Sequence, residues 1–370
     1  MEGVYGEGEM PMISDEKRLS QAVPALVEWY AAHKISMPWR EDPTPYHVWI
    51  SEIMLQQTRI EAAIPYYYRF LEALPDIPSL AAVEDDKLLK LWQGLGYYSR
   101  ARNLKKAAVE ILDRYDGRLP ADAKALRGLP GIGDYTAGAI ASIAYGLPEP
   151  AVDGNVLRVV MRLTACDDDI LAPSTRKRVA EMLRAVYPSG ADAAALTEGI
   201  MELGERVCIP NGEPRCAVCP VADLCAARQK NATDRYPVRA EKKPRRLQPL
   251  TVLLLHCGDR YALRRRPDTG LLAGLWEFPN LDGALTSDDV AARLAEQGIE
   301  PMSCAPCGNA RHIFSHVEWL MQGYAVACRA ESPAFTWKTA DEIRREMAIP
   351  TAFRYYVNLL EDVPCPTESI

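Results

Sequence analysis

GLPGIGDYTAGAI, Gly128 to Ile140, is the stretch whose reading decides the fold. Gly131 and Gly133 flank a single isoleucine, and a run of small residues follows at once. Glycine adopts positive φ without penalty and lets another backbone come close. Two glycines ahead of a helix therefore predict a tight hairpin with outward N–H groups. With a helix dipole behind them, such groups form an anion site. The spacing is not that of a P-loop, since no Gly-Lys-Ser/Thr follows, nor is it Gly-x-Gly-x-x-Gly. Taken alone, the turn is equally an ordinary connection between helices.

Its surroundings narrow the choice. Residues 15 to about 205 read as helix after helix. In Ser99 to Tyr115, Leu104, Ala107, Ala108, Ile111, Leu112 and Tyr115 fall on one face, while Arg100, Arg102, Lys105 and Lys106 fall elsewhere. Gly117 lies just past the end, where a left-handed cap suits glycine. Pro120, Pro130, Pro148 and Pro173 punctuate the series. Helix, GLPGIG and helix again make a helix-hairpin-helix pattern, which grips DNA phosphate through backbone amides without reading sequence.

A length of 370 residues favours two domains over one. The net charge of -7 announces no global basicity, but phosphate binding needs only a local basic surface. No apolar run reaches membrane-spanning length, and Leu250 to Leu255 reads as a strand. The opening MEGVYGEGEM lacks a basic start and an apolar core, so residues 1–14 are expected to be a loose tail and not a signal peptide. Ten cysteines in such a chain point to thiols or a metal, not a disulfide framework.

Between Ala226 and Arg246 stand eight Lys or Arg and two acids, with Pro237 and Pro244. That predicts a basic linker, either a solvated tether or one lying along DNA phosphates. From residue 247 the pattern turns to strands: Leu250–Cys257, a Gly258-Asp259-Arg260 turn, then Tyr261–Arg266. A helix near Asp288–Glu296, strand-like sequence over His312–Cys328 and two helices near Ala340–Met347 and Ala352–Leu360 follow. An all-α region over 15–225 thus precedes an α/β (α+β) module over 247–370.

Cys208, Cys216, Cys219 and Cys225 are spaced C-x7-C-x2-C-x5-C. Four thiolates so close suit zinc or an iron–sulfur cluster. Zinc fingers commonly use two CxxC pairs; the single pair and uneven gaps here favour [4Fe–4S]. Cys304 and Cys307 form a second CxxC without evident partners, and Cys166, Cys257, Cys328 and Cys365 read as ordinary thiols.

Three features now stand in order: MPWREDPTPYHVWISEIMLQQTRI (Met37–Ile60), the hairpin leading to AVDGNVLRVVMRL (Ala151–Leu163), and the cysteine loop. Together, over about Val23 to Cys225, they resemble the MutY family of adenine DNA glycosylases in the helix-hairpin-helix superfamily of endonuclease III. The later segment resembles the MutT-like (Nudix-like) recognition domain of the same family. One departure is the first cysteine gap, seven residues where the family pattern has six. The resemblance implies hydrolysis of the N-glycosidic bond of adenine mispaired with 8-oxoguanine or guanine, after the nucleotide is flipped from the duplex. It further implies a [4Fe–4S] cofactor on the four cysteines, double-stranded DNA as partner, no membrane, and a monomeric cytoplasmic, nucleoid-associated bacterial enzyme.

Cutting a purine from its sugar needs a proton for the departing base and an anion for the sugar's developing charge. Two carboxyls in opposite protonation states supply both. Glu52 fits the acid: from Val48 to Leu55 only Ser51 and Glu52 are polar. It is either a surface glutamate or a desolvated one with a raised pKa; a rise to about 6 needs roughly 2.3 kcal/mol of disfavoured charge. Asp153, just ahead of a helix, reads as an N-cap, which also favours the anion. The resemblance gives it a transient covalent sugar adduct and gives Asn155 an assisting place in the pocket. Tyr135 stands where bifunctional relatives carry the lysine that forms a Schiff base. A tyrosine cannot form that imine, so a monofunctional glycosylase is expected.

By the same resemblance, Leu55, Gln57 and Thr58 in LQQT, with Tyr97 in LGYYSR, form the wedge that fills the opened duplex. Spacing alone would make Leu55 and Tyr97 core residues. Arg40 and Trp39 match pocket positions, and Gly131 and Gly133 the phosphate-gripping hairpin. In the second module Glu277 is present, but the acidic cluster of MutT-like hydrolases is not, which argues against metal-bound pyrophosphate hydrolysis. Phe314 to His316 resembles the loop that touches 8-oxoguanine, with Ser315 and His316 as hydrogen-bonding candidates. Rival readings are an endonuclease III-like glycosylase/lyase, a nucleotide-pool hydrolase and a non-catalytic lesion-binding protein.

Overall fold

The protein is described by a computed structural model over residues 13–240 and 245–360. Residues 1–12 of the expected tail, and Cys365, lie outside these. Ser14 already belongs to the fold: its side chain caps the helix Asp15–His33 by accepting from Lys17 N. The chain divides into two compact units, one of Met1–Tyr67 with Ala107–Glu241, the other of Tyr68–Lys106 with Lys242–Ile370. Among the described residues no helix is long and apolar enough to cross a membrane.

The first unit is helical. Leu19, Ala22 and Leu26 of Asp15–His33 share one buried cluster with three other helices. Gly154–Thr164 contributes Val156, Leu157, Val160 and Leu163; Pro173–Arg184 contributes Val179 and Leu183; Ala191–Arg206 contributes Leu196, Ile200 and Leu203. Cys208, Cys219 and Cys225 pack against the edge of this cluster.

The hairpin forms as expected, between the short helices Ala123–Arg127 and Asp134–Ala139. Its two glycines serve different ends. Gly131 has φ +77°, which side chains rarely adopt. Gly133 has φ −89° and faces open space, with no atom within 4 Å of where a Cβ would stand. Conformation therefore requires Gly131, whereas Gly133 leaves room for a close approach. Gly138 is required for a third reason: a Cβ there would fall on the carbonyl of Pro150. The hairpin helix thus packs directly on the backbone that delivers Asp153.

The basic stretch after Cys225 differs from expectation. Its first half is packed instead of tethering. Tyr236 is buried against Ala165, Ala226 and Ala227. Arg162 Nε donates to the carbonyls of Thr233 (3.1 Å) and Tyr236 (2.8 Å), and Val238 O accepts from Ile170 N. One aromatic and a buried arginine anchor the segment, which the count of basic residues concealed.

The second unit contains a seven-stranded sheet of order β3-β2-β1-β6-β5, with β4 on β1 and β7 on β2. The strands are β1 Arg246–Cys257, β2 Arg260–Arg265, β3 Trp276–Glu277, β4 Asn280–Asp282, β5 Pro301–Ile313, β6 Val317–Cys328 and β7 Thr336–Thr339. β1 and β6 are parallel, and the other pairs antiparallel. Leu250, Val252 and Leu254 face one buried cluster, which includes Ile343 and Phe353; Leu253 and Leu255 face another, which includes Val290 and Leu294. Burial on both faces explains the unbroken apolar run of β1. β5 extends the expected strand near His312 back to Pro301 as an edge strand, with register shifts at 301/303 and 306/308. Edge strands tolerate proline, which hid it from the pattern of residues.

Candidate active site

Glu52 sits in the last turns of the helix Pro45–Leu55, whose N-cap Thr44 accepts from His47 N. The flanking Ile50, Ile53 and Met54 are buried, and Glu52 is buried with them. Tyr135, one residue into the hairpin helix, donates its hydroxyl to Glu52 Oε2 at 2.5 Å. Burial is the largest influence on Glu52 and raises its pKa to about 7; the Tyr135 hydrogen bond opposes the rise, and Glu198 and Asp153 add to it. The Tyr135 phenol is pushed well up by its own burial and by Glu52, so it remains a donor.

Asp153 is the N-cap of Gly154–Thr164. Its carboxylate accepts from Val156 N at 2.7 Å and from Asn155 Nδ2 at 2.9 Å. Burial lifts its pKa too, but those hydrogen bonds and Arg158 pull the other way. The carboxyls are therefore unequal. Glu52 is buried and accepts from a neutral phenol. Asp153 accepts from a helix N-terminus and an amide, with a guanidinium nearby, and is the better anion. Asn155 is oriented in turn: Arg158 Nη2 donates to its Oδ1 at 2.8 Å, which turns the amide nitrogen to Asp153. Arg158 also holds Gly204 O and Cys208 O, both at 2.7 Å.

A cavity of about 910 Å³ gathers Glu52, Tyr135, Asp153 and Asn155 with Trp39, Arg40, Leu55, Gln57, Thr58 and Gly133. Leu55 is half-buried at its wall, and Gln57 is exposed at φ +58°. Arg40 differs from a free phosphate binder. Its Nε meets Glu198 at 2.9 Å, and its Nη1 meets Glu202 at 2.8 Å and Ile35 O at 2.9 Å. Tyr30 donates to the other oxygen of Glu198 at 2.7 Å.

The sequence reading missed Glu198, Met201, Glu202 and Glu205, which line the cavity from the helix Ala191–Arg206. Glu198, Glu202 and Glu205 stand at i, i+4 and i+7 on one face, a signal present in the sequence. It was eclipsed by the apolar positions around it.

Tyr97, Ser315 and His316 belong to the second unit, around a cavity of about 330 Å³. Ser315 is at the tip of the β5–β6 hairpin, closed by Phe314 N donating to Val317 O at 2.8 Å. Its hydroxyl lies 3.1 Å from Tyr97 OH. Phe314 is gripped edge-on between His312 and Trp319. Tyr97 is 49% exposed, not core. Glu277 is buried and meets Arg264 Nε at 2.8 Å and Arg266 Nη1 at 2.5 Å.

The four loop thiols of Cys208, Cys216, Cys219 and Cys225 line one small cavity with Arg162. Arg162 Nη1 lies 3.3 Å from Cys208 Sγ and donates to Ile209 O at 2.9 Å. Among the described residues no three His, Cys, Asp or Glu side chains converge as ligands of a single ion.

Residues 50–187 match the HhH-GPD superfamily base excision DNA repair proteins, and residues 251–359 match the NUDIX domain. The adenine DNA glycosylase of Rattus norvegicus is 31% identical, over 91% of this chain and 77% of its own length. That of Homo sapiens is 31% identical over 90% and 73%. A solved thermostable thymine-DNA glycosylase superposes with a TM-score of 0.52 at 26% identity, covering 58% of this chain and 98% of its own. With relatives 31% identical over most of both chains, the chain belongs to the adenine DNA glycosylases, DNA glycosylases of base excision repair.

Proposed function

We propose that this chain removes adenine paired with 8-oxoguanine or guanine in duplex DNA, with Glu52 as acid and Asp153 as anion. The observation that carries this reading is the buried, Tyr135-bonded Glu52 sharing a cavity with a hydrogen-bonded Asp153. The adenosine nucleotide leaves the stack and enters the cavity, at a cost of a few kcal/mol that a mispair lowers. Protonated Glu52 gives its proton to a ring nitrogen of adenine. The C1′–N bond breaks and its electron pair leaves with the base. The positive charge left on the sugar is met by the Asp153 carboxylate, which forms a transient bond to C1′. Water then attacks C1′, the C1′–O bond to Asp153 breaks with its electron pair returning to the carboxylate, and a proton of the water passes to Glu52, leaving an abasic sugar and a restored enzyme.

Tyr135 supplies no amine, so the sugar is not captured as an imine and the strand is not cut by that route. Leu55, Gln57 and Thr58 at the cavity, and Tyr97 in the second unit, fill the vacated stack. The hairpin at Gly131 and Gly133 holds phosphate, and Ser315 and His316 meet the opposing lesion. Arg40, committed to two glutamates, shapes the pocket wall.

The four cysteines fit a [4Fe–4S] cluster: their thiols line one cavity beside the Arg162 guanidinium, which suits an anionic thiolate assembly. Burial pushes the Cys219 thiol up to about 12, so binding metal is what would draw off its proton. When bound, the cluster cross-links the loop; no step of the hydrolysis passes through it.

The test is incubation with duplexes holding A·8-oxoG, A·G or A·T, with free adenine as readout. The reading expects release from the first two and none from Glu52→Gln. Equal release by the variant, or efficient borohydride trapping on abasic DNA, overturns it.

A further inference from the structure

Tyr97 combines two properties that seldom coexist. It is a bulky residue at φ +47°, a left-handed backbone that side chains disfavour, and it is 49% exposed. A strained, exposed segment relaxes unless its surroundings hold it. Here one residue does most of the holding. Arg100 Nη2 donates to Leu95 O at 2.9 Å and to Gly96 O at 3.1 Å, and Arg100 N donates to Tyr97 O at 2.9 Å. Three successive carbonyls of the loop thus end on a single arginine. Trp92 Nε1 adds a second donor to Gly96 O at 3.1 Å. The guanidinium also lies 5.3 Å from the Trp92 ring and 5.6 Å from the Tyr97 ring. It is sandwiched between a fully buried indole and the exposed phenol.

We propose that Arg100 is a positioning residue which, with Trp92 behind it, holds Tyr97 outward as a ready-formed wedge for insertion between DNA bases. This rests on the reading of Tyr97 as the wedge. Arg100 is buried, and burial lowers its pKa to about 10, so it stays charged at neutral pH. A buried charge placed on the carbonyls of one short loop fixes that loop's shape. A rigid aromatic inserts without first being ordered, and binding loses less entropy. A planar fork suits this role, because one nitrogen reaches two carbonyls while the guanidinium carbon lies over both rings, which an ammonium cannot reproduce.

The test measures binding of the full chain to a duplex holding a non-cleavable 2′-fluoro adenosine opposite 8-oxoguanine. The variants are Tyr97→Ala, Arg100→Met, Arg100→Lys and each arginine variant combined with Tyr97→Ala. Loss of one base–aromatic stack predicts about tenfold weaker binding for Tyr97→Ala. Arg100→Met should approach the same loss, Arg100→Lys should fall between, and neither should weaken binding further once Tyr97 is alanine. A 2-aminopurine beside the lesion reports insertion directly, and its signal should be lost in Arg100→Met as in Tyr97→Ala. Should Arg100→Met weaken binding equally in both backgrounds, Arg100 acts on DNA or on folding generally and the inference falls. Should Tyr97→Ala bind like wild type, the wedge reading itself falls and takes the inference with it. If Arg100→Met does not fold, the lysine pair gives the same comparison.

Discussion

At the scale of the residue, Glu52 governs how activity and stability respond to pH. As the proposed acid, with burial raising its pKa to about 7, it would deliver its proton chiefly below that value. Single-turnover adenine release should therefore be highest below about pH 7 and fall about tenfold per unit above it. Protonation of Asp153, whose pKa burial also lifts, should add an acidic limb. A profile flat from pH 6 to 9 would assign the proton to another group. Stability follows the same protonated form of this carboxyl. The folded state binds the Glu52 proton more tightly than the unfolded chain, where the pKa is 4.5. Its contribution is fully present below 4.5 and is lost as pH rises through 7, where a bare charge stays buried. Glu52→Gln keeps an acceptor for Tyr135 and carries no charge. It should match wild type near pH 4.5 and exceed it by up to about 3 kcal/mol at pH 8, read from denaturant titrations at both. The sequence disclosed this residue because an acid among Val48, Trp49, Ile50, Ile53 and Met54 has no polar face to share. It did not disclose Glu198 or Glu202, whose charges are answered by Arg40, some 160 positions away, and by Tyr30. Pairing at that separation exists only in the fold.

At the scale of the element, the hairpin separates what holds the fold from what meets DNA. Gly131 is needed for its positive φ, so Gly131→Ala should destabilise by about 1–2 kcal/mol. Gly133→Ala meets no neighbour and no backbone strain, so its melting temperature should match wild type. Its methyl group would stand at the proposed phosphate contact, and duplex binding should weaken even on undamaged DNA. Thermal melts and binding isotherms on both variants distinguish the cases. Stable Gly131→Ala, or unimpaired binding by Gly133→Ala, contradicts this division. The two glycines look alike in the sequence, and only the dihedrals tell them apart. Periodicity was enough for Ser99–Tyr115, whose ends the structure reproduces, because one face is apolar and the other basic. It failed for β5, where prolines, cysteines and two register shifts interrupt alternation on an edge strand. It also failed for the basic stretch after Cys225. There a single tyrosine at 236 and the buried Arg162 outweigh a composition typical of a tether.

At the scale of the whole molecule, two segments match two families, and the proposed chemistry uses residues of the first. The segment at residues 251–359 matches the NUDIX domain, but its Glu277 is no free metal ligand. Both carboxylate oxygens are occupied, by Arg264 and Arg266, and the side chain is buried. Arg266 in turn lies 5.6 Å from the ring of Trp319, which packs on Phe314 of the β5–β6 tip. Glu277 is thus the base of a stack that ends at the β5–β6 tip, the loop we propose reads the lesion. A carboxylate in this place stabilises; it does not hydrolyse. Glu277→Gln leaves two guanidiniums without their anion and should lower stability by about 2–4 kcal/mol. With magnesium, neither the wild type nor the variant should release pyrophosphate from 8-oxo-dGTP. Single-turnover adenine release at saturating protein should be within about twofold of wild type, since the reacting groups lie in the other unit. The opposite pattern, pyrophosphate release by the wild type that the variant loses without loss of stability, would give the second unit a reaction of its own.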